Sequence, residues 1–328
     1  MINRADIPRS AYGDSMPPAQ LLEEVADVRT VAVSPSVEIG YSLINRQLLG
    51  EEPAIISPGG FMSDITTPDR AYEAVQLASL GRPVMLVDMP GHGHSTPHST
   101  KQIIDLQVRR DSTSQAAPVL EAVQRVLGET DQIDYFGNSH GGHLSLNMAA
   151  LDPVDRVGTV FGIDIPAVRR RSTIGMQVGF VIIDGMIRRK EYLAALEGTD
   201  AQQDYEHFKE VYEAIGPERA RSFVKQNPGL VFINLFSSGN ASPLALKAWK
   251  SVMQNKSAHV AVVTSESGHV SSPEAIDTFI QSLLPEQQER SHQTVALGEN
   301  HNLAMVHLMP RAVGWAAHAF ARNLPSIV

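Results

Sequence analysis

The chain has no cysteine among its 328 residues, which excludes disulfides and thiolate chemistry and fits a cytoplasmic location. It also lacks any basic block interleaved with aromatics. Acidic residues outnumber basic ones, 36 to 27, for a formal charge of −9. A nucleic-acid partner is therefore not expected. The single basic cluster, Arg169-Arg170-Arg171, is short and reads as a solvated face rather than a phosphate site. No apolar run is long enough to cross a bilayer; the nearest, Ile174 to Ile187, is 14 residues and is interrupted by Asp184. No membrane partner is expected. The opening residues carry no apolar core of a secretory signal. Internal repeats and low-complexity tracts are absent.

What is present is organised around residues 133–147. A short apolar run, Ile133 to Phe136, ends at Gly137; Ser139 follows, then Gly141 and Gly142, then a helix-like stretch through Leu144 and Met148. This is Gly-x-Ser-x-Gly between a predicted strand and a predicted helix, where the pattern puts a nucleophile on a sharp turn. The glycines have a steric task, because side chains at 137 and 141 would meet the neighbouring strand and helix. The competing reading is a glycine-rich turn with a surface serine.

Taken in order, residues 1–27 read as an extension. Thr30 to Val33 and Val37 to Asn45, joined by Ser34-Pro35-Ser36, predict an antiparallel hairpin at a sheet edge. Strands are then predicted at Ala54 to Ser57, Pro83 to Val87, Ile133 to Phe136 and Val157 to Ile163, with helices at Pro68 to Leu80, Ser112 to Leu127 and after Ser139. From about Pro166 to Ser257 helical segments dominate. Alternation resumes with a strand at His259 to Thr264, a helix at Pro273 to Leu284, a strand at His292 to Leu297 and a closing helix at Val306 to Asn323. Strands alternating with helices imply an α/β class with a doubly wound, mostly parallel sheet. Its reactive groups belong in loops beyond the carboxyl ends of the strands. A helical insertion at 166–257 between two late strands of one core, 28–165 plus 258–328, is the economical domain description.

Four segments in this order resemble the α/β-hydrolase superfamily: Gly-Gly-Phe-Met-Ser (59–63), Asp-Met-Pro-Gly-His-Gly-His-Ser (88–95), Gly-Asn-Ser-His-Gly-Gly (137–142) and Gly-Glu-Asn-His-Asn-Leu (298–303). The chain is similar to the members that carry a helical cap after the sixth strand. The resemblance implies Ser139 as nucleophile and His301, on the last loop, as its base; His269 is the main competitor, and His307 and His318 read as helix histidines. It implies an oxyanion hole from the backbone N–H of His140 and that of Phe61, or Gly60 if the alignment slips by one. The acid departs from the commonest pattern, because Ser267 and Gly268 stand where an aspartate would be expected. Asp164, at the end of the preceding sheet strand, is the first candidate and Glu266 the alternative.

A serine hydroxyl needs an adjacent base, and the imidazole needs a carboxylate to fix its tautomer. The loop at 88–95 reads as structural support for the oxyanion side. Its histidines, His92 and His94 with His98 beyond, have two- and four-residue spacing but no carboxylate arranged around them, so no metal and no cofactor is expected. Met176, Phe180 and Ile183, at helical spacing in the insertion, would line an apolar substrate pocket if the insertion covers the site. These residues predict a serine hydrolase acting on a hydrophobic carboxylic ester, lactone or thioester. The alternatives are an acyltransferase or cyclase using the same acyl-enzyme, a carbon–carbon bond hydrolase, and a non-catalytic ligand receptor. A carboxylate-nucleophile enzyme is disfavoured by serine at 139. Oligomeric state is not legible in the sequence.

Overall fold

The computed structural model describes residues 24–60, 63–66, 68–107, 112–128, 132–153, 156–167, 244–254, 256–266, 270–296 and 309–321. Their centre is one eight-stranded sheet: β1 (Arg29–Ser34), β2 (Val37–Ile44), β3 (Ala54–Pro58), β4 (Val84–Val87), β5 (Ile133–Asn138), β6 (Val157–Ile163), β7 (His259–Ser265) and β8 (Ser291–Ala296). The spatial order is β1-β2-β4-β3-β5-β6-β7-β8. β1 and β2 form the expected antiparallel hairpin at one edge, and β2 runs antiparallel to β4; every other pairing is parallel.

The central strands are short apolar runs with no polar face, because helices cover both sides. Successive side chains leave a strand on opposite faces. Ala54 and Ile56 of β3, Met85 and Val87 of β4, and Ile133 and Tyr135 of β5 therefore join one core layer. Ile55, Val84, Leu86 and Phe136 join the other. The first layer is closed by α3 (Thr113–Leu127), α4 (His140–Leu151), α5 (244–254) and α6 (Pro273–Gln281). The second is closed by α1 (Pro68–Ala78) and α8 (Met309–Phe320). The remaining helices, α2 (Thr100–Gln107) and α7 (Pro285–Gln288), lie at the periphery of this scheme.

Two local differences from expectation have physical causes. The helix expected over Pro273 to Leu284 stops at Gln281, and a separate turn begins at Pro285; Leu284, held extended (ψ 152°) ahead of the proline, separates them. The start of α6 is well marked, since the Ser272 hydroxyl accepts the Ala275 N–H at 3.3 Å and Pro273 occupies the first turn. Helix 244–254, expected within the insertion, packs into the core layer instead. Trp249 is fully buried there, and its indole N–H donates to the Ser291 hydroxyl of β8 at 3.1 Å. The rest of the expected cap, from residue 168 to 243, lies outside the described residues. Among the described residues no helix is long and apolar enough to cross a membrane.

Candidate active site

β5 delivers the chain to Ser139, which adopts φ 52° and ψ −119°, and α4 starts at the next residue. A positive φ is costly for a residue with a Cβ, so the surroundings must enforce it. They do so through backbone contacts. The Ser139 N–H donates to the carbonyl of Ile163, the last residue of β6, at 2.8 Å, and the Ser139 carbonyl accepts the His143 N–H at 3.2 Å. The glycines expected to permit the turn do so by close approach. A Cβ on Gly137 would stand 2.5 and 2.6 Å from the backbone carbon and oxygen of Gly141, and one on Gly141 would overlap the Pro58 carbonyl oxygen. Ser139 is half-buried, whereas β5 and the first ten residues of α4 are buried throughout. His140 is the first residue of α4, so its N–H is among those that a helix leaves without an intrahelical acceptor. Gly60 lies beside the turn, its Cβ direction 3.5 Å from the Asn138 carbonyl oxygen.

The two acid candidates have different surroundings. Asp164 directly follows Ile163, the residue bonded to the Ser139 amide, and its own φ is 49°. It is 1% exposed. Its Oδ1 accepts the Ser265 N–H at 2.8 Å and its Oδ2 accepts the Ser265 hydroxyl, so β7 fixes the carboxylate at the end of β6. Glu266 is exposed and one strand further from the serine, with its N–H donating to the Ala296 carbonyl of β8 at 3.0 Å. The geometry therefore holds Asp164, not Glu266, as a buried and oriented carboxylate next to the turn. In sequence Ser265 falls just beyond the strand expected to end at Thr264; its part in fixing Asp164 is a tertiary contact with no sequence signal.

The bonds of Asp88, the first residue of the 88–95 turn, have no sequence signal either. Its carboxylate accepts the Ile65 N–H at 2.8 Å on Oδ1 and the His94 N–H at 2.9 Å on Oδ2. One buried side chain thus ties the loop after β3 to the loop after β4. Burial pushes its pKa up, and its two backbone N–H donors and the nearby Arg70 charge pull against that. The 88–95 turn is thereby braced against the loop after β3.

Four histidines gather beside the turn. Burial lowers His92, His98 and His143 to about 4, and His140 well below its ordinary value, with neighbouring histidines adding to the effect on His98 and His140. The His140 and His143 rings are 5.4 Å apart. All four are neutral at neutral pH. Among the described residues, no three His, Asp or Glu side chains converge as a metal ion would require. His318, on α8, is exposed. His301, His269, His307, Phe61, Met176, Phe180 and Ile183 lie outside the described residues.

The family model for the alpha/beta hydrolase fold matches residues 55–289. No curated protein matches the chain. Among solved structures, a thioesterase domain from the curacin biosynthetic pathway superposes with a TM-score of 0.52 at 14% identity, covering 90% of this chain and 99% of that one. A bromoperoxidase from Bacillus anthracis gives 0.56 at 12% identity, covering 90% and 100%. An epoxide hydrolase from Vigna radiata gives 0.55 at 14% identity, covering 92% and 100%. At these identities the likeness speaks to the fold, and the three names differ in chemistry. With the strand order, the turn at Ser139 and a family match spanning most of its length, this chain belongs to the α/β-hydrolase family.

Proposed function

We propose that the protein is a serine hydrolase that cleaves a carboxylic ester, lactone or thioester through an acyl-enzyme on Ser139. The observation that carries this reading is the strained Ser139 at the start of a helix, one strand away from the buried Asp164 carboxylate. Strain of this kind is costly, and it exposes a hydroxyl beside free helix N–H groups. An acyl-transfer nucleophile needs that combination.

In the proposed sequence of steps, His301 takes the Ser139 proton as the oxygen attacks the acyl carbon. The carbonyl electrons move onto oxygen, and the N–H groups of His140 and Phe61 (or Gly60) stabilise that charge. The imidazolium of His301, held by Asp164, then protonates the leaving oxygen or sulfur as its bond to the acyl carbon breaks. Water, deprotonated by the same imidazole, attacks the acyl carbon; the bond to the Ser139 oxygen breaks, the imidazolium returns its proton to that oxygen, and the acid is released. Each oxyanion donor is worth about 3–4 kcal/mol of transition-state stabilisation. No cofactor or metal enters these steps. The substrate is a medium-sized hydrophobic acyl or lactone compound, with Met176, Phe180 and Ile183 as its apolar contacts.

The test is a turnover screen over p-nitrophenyl esters of increasing chain length, lactones and acyl thioesters, with Ser139→Ala as control. Turnover by the wild-type chain that disappears in the variant is the expected result. Equal turnover by both would end the proposal. Adding an acceptor alcohol or amine separates hydrolysis from acyl transfer by the product formed.

A further inference from the structure

The first two turns of α1 place Arg70 and Glu73 behind the end of β3, where they form a buried network with Ser57. Arg70, Glu73 and Ser57 are 2%, 4% and 0% exposed. The Arg70 guanidinium donates from Nη1 to the Ser57 hydroxyl at 2.9 Å and to Glu73 Oε1, and from Nη2 to the Ser57 carbonyl at 2.5 Å. The Ser57 hydroxyl donates in turn to Glu73 Oε1. In sequence, Arg70 and Glu73 look like an ordinary surface pair three residues apart on a helix. The structure turns them inward.

The place of the trio matters. Pairing of β3 with β5, the strand that carries Ser139, runs only from Ala54 to Ile56. Beyond it come Ser57, Pro58 (which has no N–H to offer) and the glycines of the loop that would supply the second oxyanion donor. The start of α4 fits directly against this stretch, with the Cβ direction of Gly141 meeting the Pro58 carbonyl and lying 3.1 Å from that of Gly59. Pro58 and Gly59 thus meet the helix bearing the His140 N–H on one side, while Arg70 grips Ser57 just before them and the Gly59 N–H donates to the Val87 carbonyl of β4 at 3.1 Å. A buried ion pair is poor evidence of stabilisation, because apolar side chains of similar volume often serve stability as well or better. A guanidinium making two bonds to one residue does fix that residue in position and direction.

We infer that Arg70, held by Glu73, is a positioning residue that sets residues 57–60 against the N-terminus of α4 and so fixes where the chain enters the loop proposed to supply the second oxyanion donor. This inference rests on the serine-hydrolase reading. It predicts that loss of the trio acts on the transition state rather than on substrate binding, because a misplaced donor no longer meets the developing charge.

The experiment compares wild type, Arg70→Lys, Arg70→Met and the double variant Arg70→Met/Glu73→Leu. The double variant leaves no unpaired buried charge and so guards against simple unfolding of Arg70→Met. Three readouts are taken: kcat and KM for p-nitrophenyl butyrate, inhibition by butylboronic acid as a tetrahedral mimic, and amide hydrogen exchange of residues 57–66 against β6. In the double variant kcat should fall about 10- to 100-fold with KM within about twofold, since one full donor is worth about 100- to 1,000-fold. Boronate affinity should weaken in step with kcat, exchange should quicken in 57–66 alone, and Arg70→Lys should recover part of the rate. Unchanged kcat, a change confined to KM, or exchange that quickens equally in β6 would overturn the inference. A wild-type chain that turns over no acyl substrate would sink the serine-hydrolase reading, and this inference with it. That failure is recognisable because it appears before any variant is compared.

Discussion

Acid should unfold this protein through its histidines. His92, His98 and His143 are buried beside the turn at Ser139, and burial holds their pKa values at about 4 in place of the ordinary 6.5. A group whose folded pKa is depressed binds fewer protons in the folded chain than in the unfolded one. Stability is therefore intact above pH 6.5, falls as pH drops through the window from 6.5 to about 4, and loses no more below it. Each pH unit inside the window costs about 1.4 kcal/mol per histidine. At pH 5.5 three such groups together remove about 4 kcal/mol, against a total stability of about 5–15 kcal/mol for an ordinary fold. His140, depressed further still, adds to the loss. Asp88 works in the opposite direction, since its raised pKa means that the folded chain takes up a proton more readily. His292 on β8 is lowered by burial as well, so it is one group against five. The assay is urea unfolding followed by tryptophan fluorescence at pH 7.5, 6.5, 5.5 and 5.0. The midpoint should fall at each step below pH 6.5, and His98→Gln should flatten the slope by about a quarter. A midpoint that stays constant from pH 7.5 to 5.0 would show that these rings are hydrated or paired, and the reasoning would fail.

Three further substitutions test the turn and the proposed acid. Gly137→Ala places a methyl about 2.5 Å from the Gly141 backbone, which neither element can yield, so the variant should lose more than about 3 kcal/mol or fail to accumulate as folded protein. A wild-type thermal midpoint would show that β5 and α4 are more loosely packed than described. Asp164→Asn should lower ester kcat by about 10,000-fold, whereas Glu266→Gln should leave it within about twofold. The reverse ranking in a steady-state ester assay would transfer the acid role to β7.

Much of the architecture was legible in the sequence. The elbow declared itself because Gly-x-Ser-x-Gly is a local constraint: the glycines and the serine must all lie within one turn. The hairpin of β1 and β2 and the buried runs of β3, β4, β5 and β6 were legible for a similar reason, since alternation and bounded apolar runs are local signals. Element ends shifted by a residue or two, as at Ser265, which completes β7. What sequence could not reveal was inwardness. Arg70 and Glu73 have the spacing of a solvated pair, and Asp88 sits in a turn motif where its carboxylate had no visible task. The bonds from Arg70 to Ser57 and from Ile65 to Asp88 join residues 13 and 23 positions apart, which no periodicity encodes. Asp164 was readable as a candidate, but the donor that orients it comes from 101 residues later.

The central claim is that the Ser139 hydroxyl is the reacting nucleophile, and intact-mass measurement after treatment with a fluorophosphonate tests it most directly. The account predicts one adduct per chain, mapped to the peptide carrying Ser139, slowed in Asp164→Asn and absent in Ser139→Ala. An adduct on another residue, or a Ser139→Ala chain that labels as fast as wild type, would contradict it.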